Sequence, residues 1–209
     1  MGSIPAGALV FPVRKVSSST SAKYPVFIRS QEETNMTTER FGLIKLGDKD
    51  ATVVGDDIRA GQAAPEFTVQ TLDWNTFHGL GDTQGKVRII AAVPSLETSV
   101  CDRETRRFNE EAARLGKDIA VLVLSTDLPY TQKRWCGAAG IDQVTVLSDH
   151  MDADFGIRYG CLIKERRTLR RAVFVVDRAG KVTYAAYMPV LGDEPNYEEV
   201  LAAARAALG

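Results

Sequence analysis

Cysteine and histidine are scarce in this chain, with three of the first and two of the second in 209 residues. So few thiols in a chain this long cannot form the disulfide framework of a small secreted scaffold. Cys101, Cys136 and Cys161 make no Cys-x-x-Cys pair and do not cluster with histidine, which argues against a structural zinc site and a dithiol oxidoreductase motif. His78 and His150 lie far apart in loop-like sequence and read as surface residues. A cysteine hydrolase, which needs an imidazole beside its thiol, therefore has little support. No large excess of charge is present either. A net charge of −1 gives no electrostatic case for nucleic acid or an anionic membrane as partner. No apolar run approaches the length that spans a bilayer, and no internal repeat is seen. What remains is ordinary: 44% hydrophobic and 25% charged residues suit a soluble globular protein with length enough for one real core.

The small net charge hides an asymmetry. Residues 1–31 carry Arg14, Lys15, Lys23 and Arg29 with no acidic residue, and contain the run Ser17-Ser-Ser-Thr-Ser21. Basic, serine-rich, acid-poor composition suits an organelle transit peptide, and a true start at Met36 is the plainer alternative. Residues 1–36 are thus expected to be an extension outside the fold, removed or disordered, with the domain over residues 40–209.

Within that domain, strands and helices alternate. Phe41–Leu46 and Ala51–Val54 flank Gly47-Asp-Lys-Asp50 and predict a β-hairpin. Phe67–Leu72 reads as a strand. Val87–Val93, apolar apart from Arg88, reads as a strand covered on both faces. The next helix places Cys101, Thr105, Phe108, Ala112 and Leu115 on one stripe. Ile119–Leu124 is a second buried strand. Asp127 is placed to cap a helix with Pro129 in its first turn, running toward Cys136 and Gly137. Val144–Leu147 is a short strand, Met151–Tyr159 a short helix, and Ala172–Asp177 and Val182–Tyr187 are strands around a turn. Tyr197–Leu208 closes the chain as an alanine-rich helix. This order argues for an α/β sandwich with a mixed central sheet flanked by helices.

Pro94-Ser-Leu-Glu-Thr98-Ser-Val-Cys101 joins the first buried strand to its helix. It sets a thiol at a helix N-terminus, where exposed N–H groups and the helix dipole favour negative charge. Thr98 can offer its hydroxyl to that sulfur or to a bound oxygen, or serve as a helix cap. Pro94 fixes the backbone without an N–H of its own. The bland alternative is a small buried thiol, the usual state of a lone cysteine.

The spelling Pro-x-x-x-Thr-x-x-Cys resembles the peroxidatic motif of the peroxiredoxins. Cys136, in Arg134-Trp-Cys-Gly-Ala-Ala-Gly140, extends the likeness to their thiol peroxidase branch over roughly Phe41 to Leu208. Two departures are Ser99 for an expected glycine and Glu97 for aspartate. The resemblance implies a thioredoxin-like fold and a peroxidase without metal or prosthetic group. Cys101 would attack a hydroperoxide, and Cys136 would resolve the sulfenic acid as an intrachain disulfide. Thioredoxin would be the reductant, hydrogen peroxide and organic hydroperoxides the substrates, a homodimer the assembly and the cytoplasm the setting. It also implies a buried arginine beside the thiol, for which Arg171 stands in the right context. Arg170 adjoins it, and strand alternation lets only one of the two face the site. Thiols on two separate helices would have to travel to meet, so partial unwinding at Cys101 and Cys136 is expected. Cys161 reads as a core filler.

Overall fold

The structure is a computed structural model that describes residues 37–209. The extension expected over residues 1–36, with its targeting reading, lies outside the described residues. The chain enters as the expected hairpin, β1 (Glu39–Leu46) and β2 (Lys49–Val54), which turn through Gly47 at φ 67°. The strand expected from Phe67 is shorter, β3 (Thr68–Gln70), and folds back on β4 (Thr76–His78), which was not foreseen. No glycine marks that turn; Trp74 adopts the left-handed φ of 65° instead. His78 is therefore a strand residue rather than part of a loop, although it is exposed as expected.

The middle of the chain builds the scaffold of the site. Strand β5 (Val87–Ala92) leads to α1 (Ser99–Leu115), β6 (Ile119–Ser125), α2 (Pro129–Ala139) and β7 (Thr145–Ser148). Next come α3 (Asp154–Arg158) and two two-residue strands, β8 (Leu162–Ile163) and β9 (Thr168–Leu169). The basic run around Arg166 concealed both. Strands β10 (Ala172–Val176) and β11 (Val182–Tyr187) and helix α4 (Tyr197–Ala206) complete the chain. The central sheet has the order β11-β10-β5-β6-β7-β3-β4, and β1-β2-β8-β9 form a smaller one. Only β5, β6 and β7 pair in parallel, so the sheet is mixed, as expected.

Alternation along the strands divides the core into two faces. Val87, Ile89, Ala91, Val121, Val123, Val173 and Val175 lie beneath Phe108 of α1, Trp135 of α2 and Leu201 of α4. Ile90, Ala92, Leu122, Leu124, Phe174 and Val176 face Phe67, Phe155 and Tyr159. Each fully buried large side chain contributes roughly 1.5–3 kcal/mol. Arg88, the one charge in β5, is buried by donating to Thr83 Oγ1 and to the carbonyls of Leu80, Thr83 and Asp177. No described helix is long and apolar enough to cross a membrane.

Candidate active site

Strand β5 stops at Ala92 and the chain crosses the carboxyl ends of the parallel strands before α1 begins, where open α/β sheets collect their ligands. Pro94 is half-buried in this crossing. Cys101 is the third residue of α1 and its sulfur is fully buried. Thr98 holds the N-cap position with extended backbone, yet its side chain makes no cap bond. Its Oγ1 lies 2.8 Å from Cys101 Sγ and 3.1 Å from Ser95 O. Of the two roles foreseen for Thr98, the side chain makes no cap bond, and its hydroxyl lies within reach of both the sulfur and Ser95 O. Asp127 also departs from expectation. Leu128, not Asp127, precedes α2, and the Asp127 carboxylate turns back to accept from Leu96 N, Ser95 Oγ and Ser125 Oγ, each at 2.8 Å.

Arg171 reaches the same sulfur from β10's end of the sheet. Its position just before β10 has the parity of Val173 and Val175, so it points to the face under α1. Nη2 donates to Cys101 Sγ at 3.3 Å, Nη1 to Glu104, and Nε and Nη2 to Leu191 O at 3.2 and 3.1 Å. Burial alone would lower the Arg171 pKa, but Glu104 and the Cys101 sulfur more than offset it and raise it further. Glu104, three residues after Cys101 on the inward side of α1, is fully buried beside Arg171. Burial pushes its carboxyl up to about 7 against the pull of that guanidinium. Its second oxygen, Oε1, has no partner among the described residues.

Arg170 faces the other way. It pairs with Asp57, donates to Gly160 O and lies 3.9 Å over the Tyr187 ring. The one-residue ambiguity thus resolves in geometry: Arg171 touches the thiol and Arg170 braces the opposite face.

Cys136 lies in the last turn of α2, three residues before the helix ends, rather than at its terminus. It is buried in the same core face as Cys101, and neither is disulfide-bonded. Burial pushes its thiol up to about 11. Cys161 packs in the other face, with burial pushing it up to about 12 and its Sγ 3.3 Å from Tyr159 O. His150 is less free than expected, since its Nδ1 is 2.9 Å from Ser148 Oγ and its ring lies against Trp74.

Sequence reasoning missed Glu104, Leu191 O and the role of Asp127. Only Glu104 left a trace, because a residue three after Cys101 shares its helix face. A carbonyl in a distant loop leaves none. The assembled group has one sulfur, a hydroxyl and a fixed cation within hydrogen-bonding reach, an arrangement able to hold and polarise a small oxygen-rich molecule.

A sequence model of the redoxin family matches residues 59–201. The thiol peroxidase of Bacillus subtilis is 52% identical over 155 residues, which cover 74% of this chain and 92% of that protein. That of Oceanobacillus iheyensis is 50% identical over 72% of this chain and 90% of its own. Among solved structures, a peroxiredoxin-like protein from Aquifex aeolicus is similar with a TM-score of 0.72 and 38% identity, covering 82% of this chain and 98% of that one. With its thioredoxin-like architecture, the chain belongs to the redoxin family, in the thiol peroxidase branch of the peroxiredoxins.

Proposed function

We propose that this protein is a thiol-dependent peroxidase in which Cys101 is the peroxide-reactive sulfur and Cys136 the resolving one. The observation that carries the reading is the convergence of Thr98 Oγ1 at 2.8 Å and Arg171 Nη2 at 3.3 Å on a single sulfur. The Cys101 thiolate attacks one oxygen of a hydroperoxide, the O–O bond breaks, and the departing oxygen takes a proton to leave as water or an alcohol. Cys101 becomes a sulfenic acid. Arg171 and Thr98 hold the peroxide in line as charge passes from sulfur to the leaving oxygen, so orientation and fixed polar groups supply most of the acceleration. Pro94 shapes the same crossing.

Cys136 then attacks the sulfenic sulfur, expelling water and forming a disulfide. Burial pushes the Cys136 thiol up to about 11 and favours its neutral form in the helix, and local unwinding of α2 would free it to meet Cys101. A dithiol reductant of the thioredoxin type would reduce the bridge. Hydrogen peroxide and organic hydroperoxides are the substrates proposed, with a homodimer acting in the cytoplasm.

The test is the intact mass of reduced protein after one equivalent of peroxide. A loss of two hydrogens mapped to Cys101 and Cys136 is expected, with no peroxide consumed by Cys101→Ser. Peroxide consumption by that variant would end the assignment.

A further inference from the structure

The Asp127 carboxylate lies between the two segments that carry the proposed reactive thiols, yet it touches neither sulfur. Its oxygens receive Ser95 Oγ, Ser125 Oγ and the backbone N–H of Leu96. The last contact matters most. Leu96 N–H and Ser95 C=O belong to one planar peptide unit, and that carbonyl is where Thr98 attaches, through its N–H at 3.1 Å and its hydroxyl at 3.1 Å. The carboxylate thus holds one edge of a rigid plate, and Thr98 hangs from the other.

Thr98 has a single hydroxyl proton and two neighbours able to accept it, Ser95 O and Cys101 Sγ. When Cys101 carries its own proton, the thiol can donate to Oγ1 while the hydroxyl donates to Ser95 O. Once that proton is gone, the hydroxyl turns to the sulfur. Ser95 O must then stay fixed for Oγ1 to keep its place. A carboxylate bonded to the N–H end of the peptide both immobilises the carbonyl and polarises it.

We infer that Asp127 is a positioning residue for the peroxide step, acting through the Ser95–Leu96 peptide to set the Thr98 hydroxyl on Cys101. This rests on the reading of Cys101 as the peroxide-reactive sulfur. Asp127 aligns the site without contacting substrate. Displacements of about 1 Å in such arrangements slow reactions by up to roughly 100-fold.

The experiment follows oxidation of Cys101 in the reduced full-length protein by hydrogen peroxide, using rapid quenching with a thiol-alkylating reagent and mass spectrometry. Asp127→Ala is expected to slow this step about 10- to 100-fold. Asp127→Asn, whose amide oxygen can still accept from Leu96 N, should recover to within about fivefold of the unmodified protein. Thr98→Val should slow the step by itself, and adding Asp127→Ala should slow it little further, since the second change acts only through the hydroxyl already lost. Full multiplication of the two effects, or an Asp127→Ala rate within about twofold of the unmodified protein, would overturn the inference. If Asp127→Ala does not fold by circular dichroism, Ser95→Ala takes its place. It removes one of the three donors and should slow the step about threefold with Thr98 present and not at all in the Thr98→Val background; equal slowing in both backgrounds overturns the inference. Failure of the underlying peroxidase reading has a different signature: Cys101 of the unmodified protein stays unoxidised after one equivalent of peroxide.

Discussion

Arg171 combines near-complete burial, a carboxylate partner and a bond to sulfur, and each feature limits what can replace it. Its planar fork reaches Glu104, Leu191 O and Cys101 Sγ together, which a lysine could not do. Arg171→Met should therefore slow oxidation of Cys101 by about 100- to 1,000-fold, the loss seen when one preorganised donor is removed. Glu104 would then be left buried without its cation and would hold its proton at neutral pH, which limits the stability loss to roughly 1–3 kcal/mol for the unsatisfied buried groups. Rapid-mixing kinetics and urea denaturation of the same sample separate the two effects. Arg170→Met should differ in its peroxide rate, which stays within about threefold of normal, with a similar stability loss of roughly 1–3 kcal/mol. A slow Arg170→Met variant would place the wrong arginine at the sulfur. At this scale the motif Pro94, Thr98 and Cys101 was legible because its members are close in sequence and chemically distinctive. Arg171 was legible only to within one position, which strand parity then decides. Glu104 was hidden, because a carboxylate on a charged helix reads as solvated until its partner is known.

Helix α2 ends three residues beyond Cys136, where Gly140 takes a left-handed φ of 68° and its N–H bonds Cys136 O. Gly137, next to the thiol, has no such backbone need, and a Cβ there would meet nothing within 4 Å. An interior glycine weakens a helix by roughly 0.5–1 kcal/mol relative to alanine. If Cys136 must unwind this turn to reach Cys101, that weakness speeds disulfide formation. Gly137→Ala should then leave oxidation of Cys101 unchanged but slow the disulfide step about two- to fivefold, the rate equivalent of that free energy. The sulfenic form would live longer, and more of it would advance to sulfinic acid under excess peroxide. Mass spectrometry at increasing peroxide reads both species, and an unchanged sulfinic fraction would argue against unwinding of α2. Long elements such as β5, α1, β6 and α4 were legible because burial imposes a clear period over many residues. Strands β4, β8 and β9, of two or three residues, are defined by their partners rather than by their own pattern.

Across the whole molecule, two carboxyl groups on opposite faces of the central sheet tie stability to pH. Glu104 lies beneath α1, while Asp149, just after β7, accepts from Phe155 N at 3.1 Å and Gly156 N at 2.8 Å at the start of α3. Burial pushes each up to about 7, from ordinary values of 4.5 and 3.8, despite the groups that favour ionisation. In both cases the folded state binds more protons than the unfolded state between those limits. Their stabilisation is fully present below about pH 4 and is lost as pH rises through about 7. Neither was readable from sequence, since Asp149 belongs to a short polar turn whose burial comes from Phe155 and its neighbours. Asp149→Asn removes the titration but keeps a single acceptor oxygen, so one of the bonds from Phe155 N and Gly156 N is lost at every pH. Relative to the unmodified protein, this variant should therefore gain on the order of 1–3 kcal/mol between pH 5 and pH 8, on top of the pH-independent cost of the lost bond. Urea denaturation of the reduced protein at those two pH values measures the difference directly. If the gap between them is the same in both proteins, Asp149 ionises equally easily folded and unfolded, and its backbone bonds to α3 fully offset its burial.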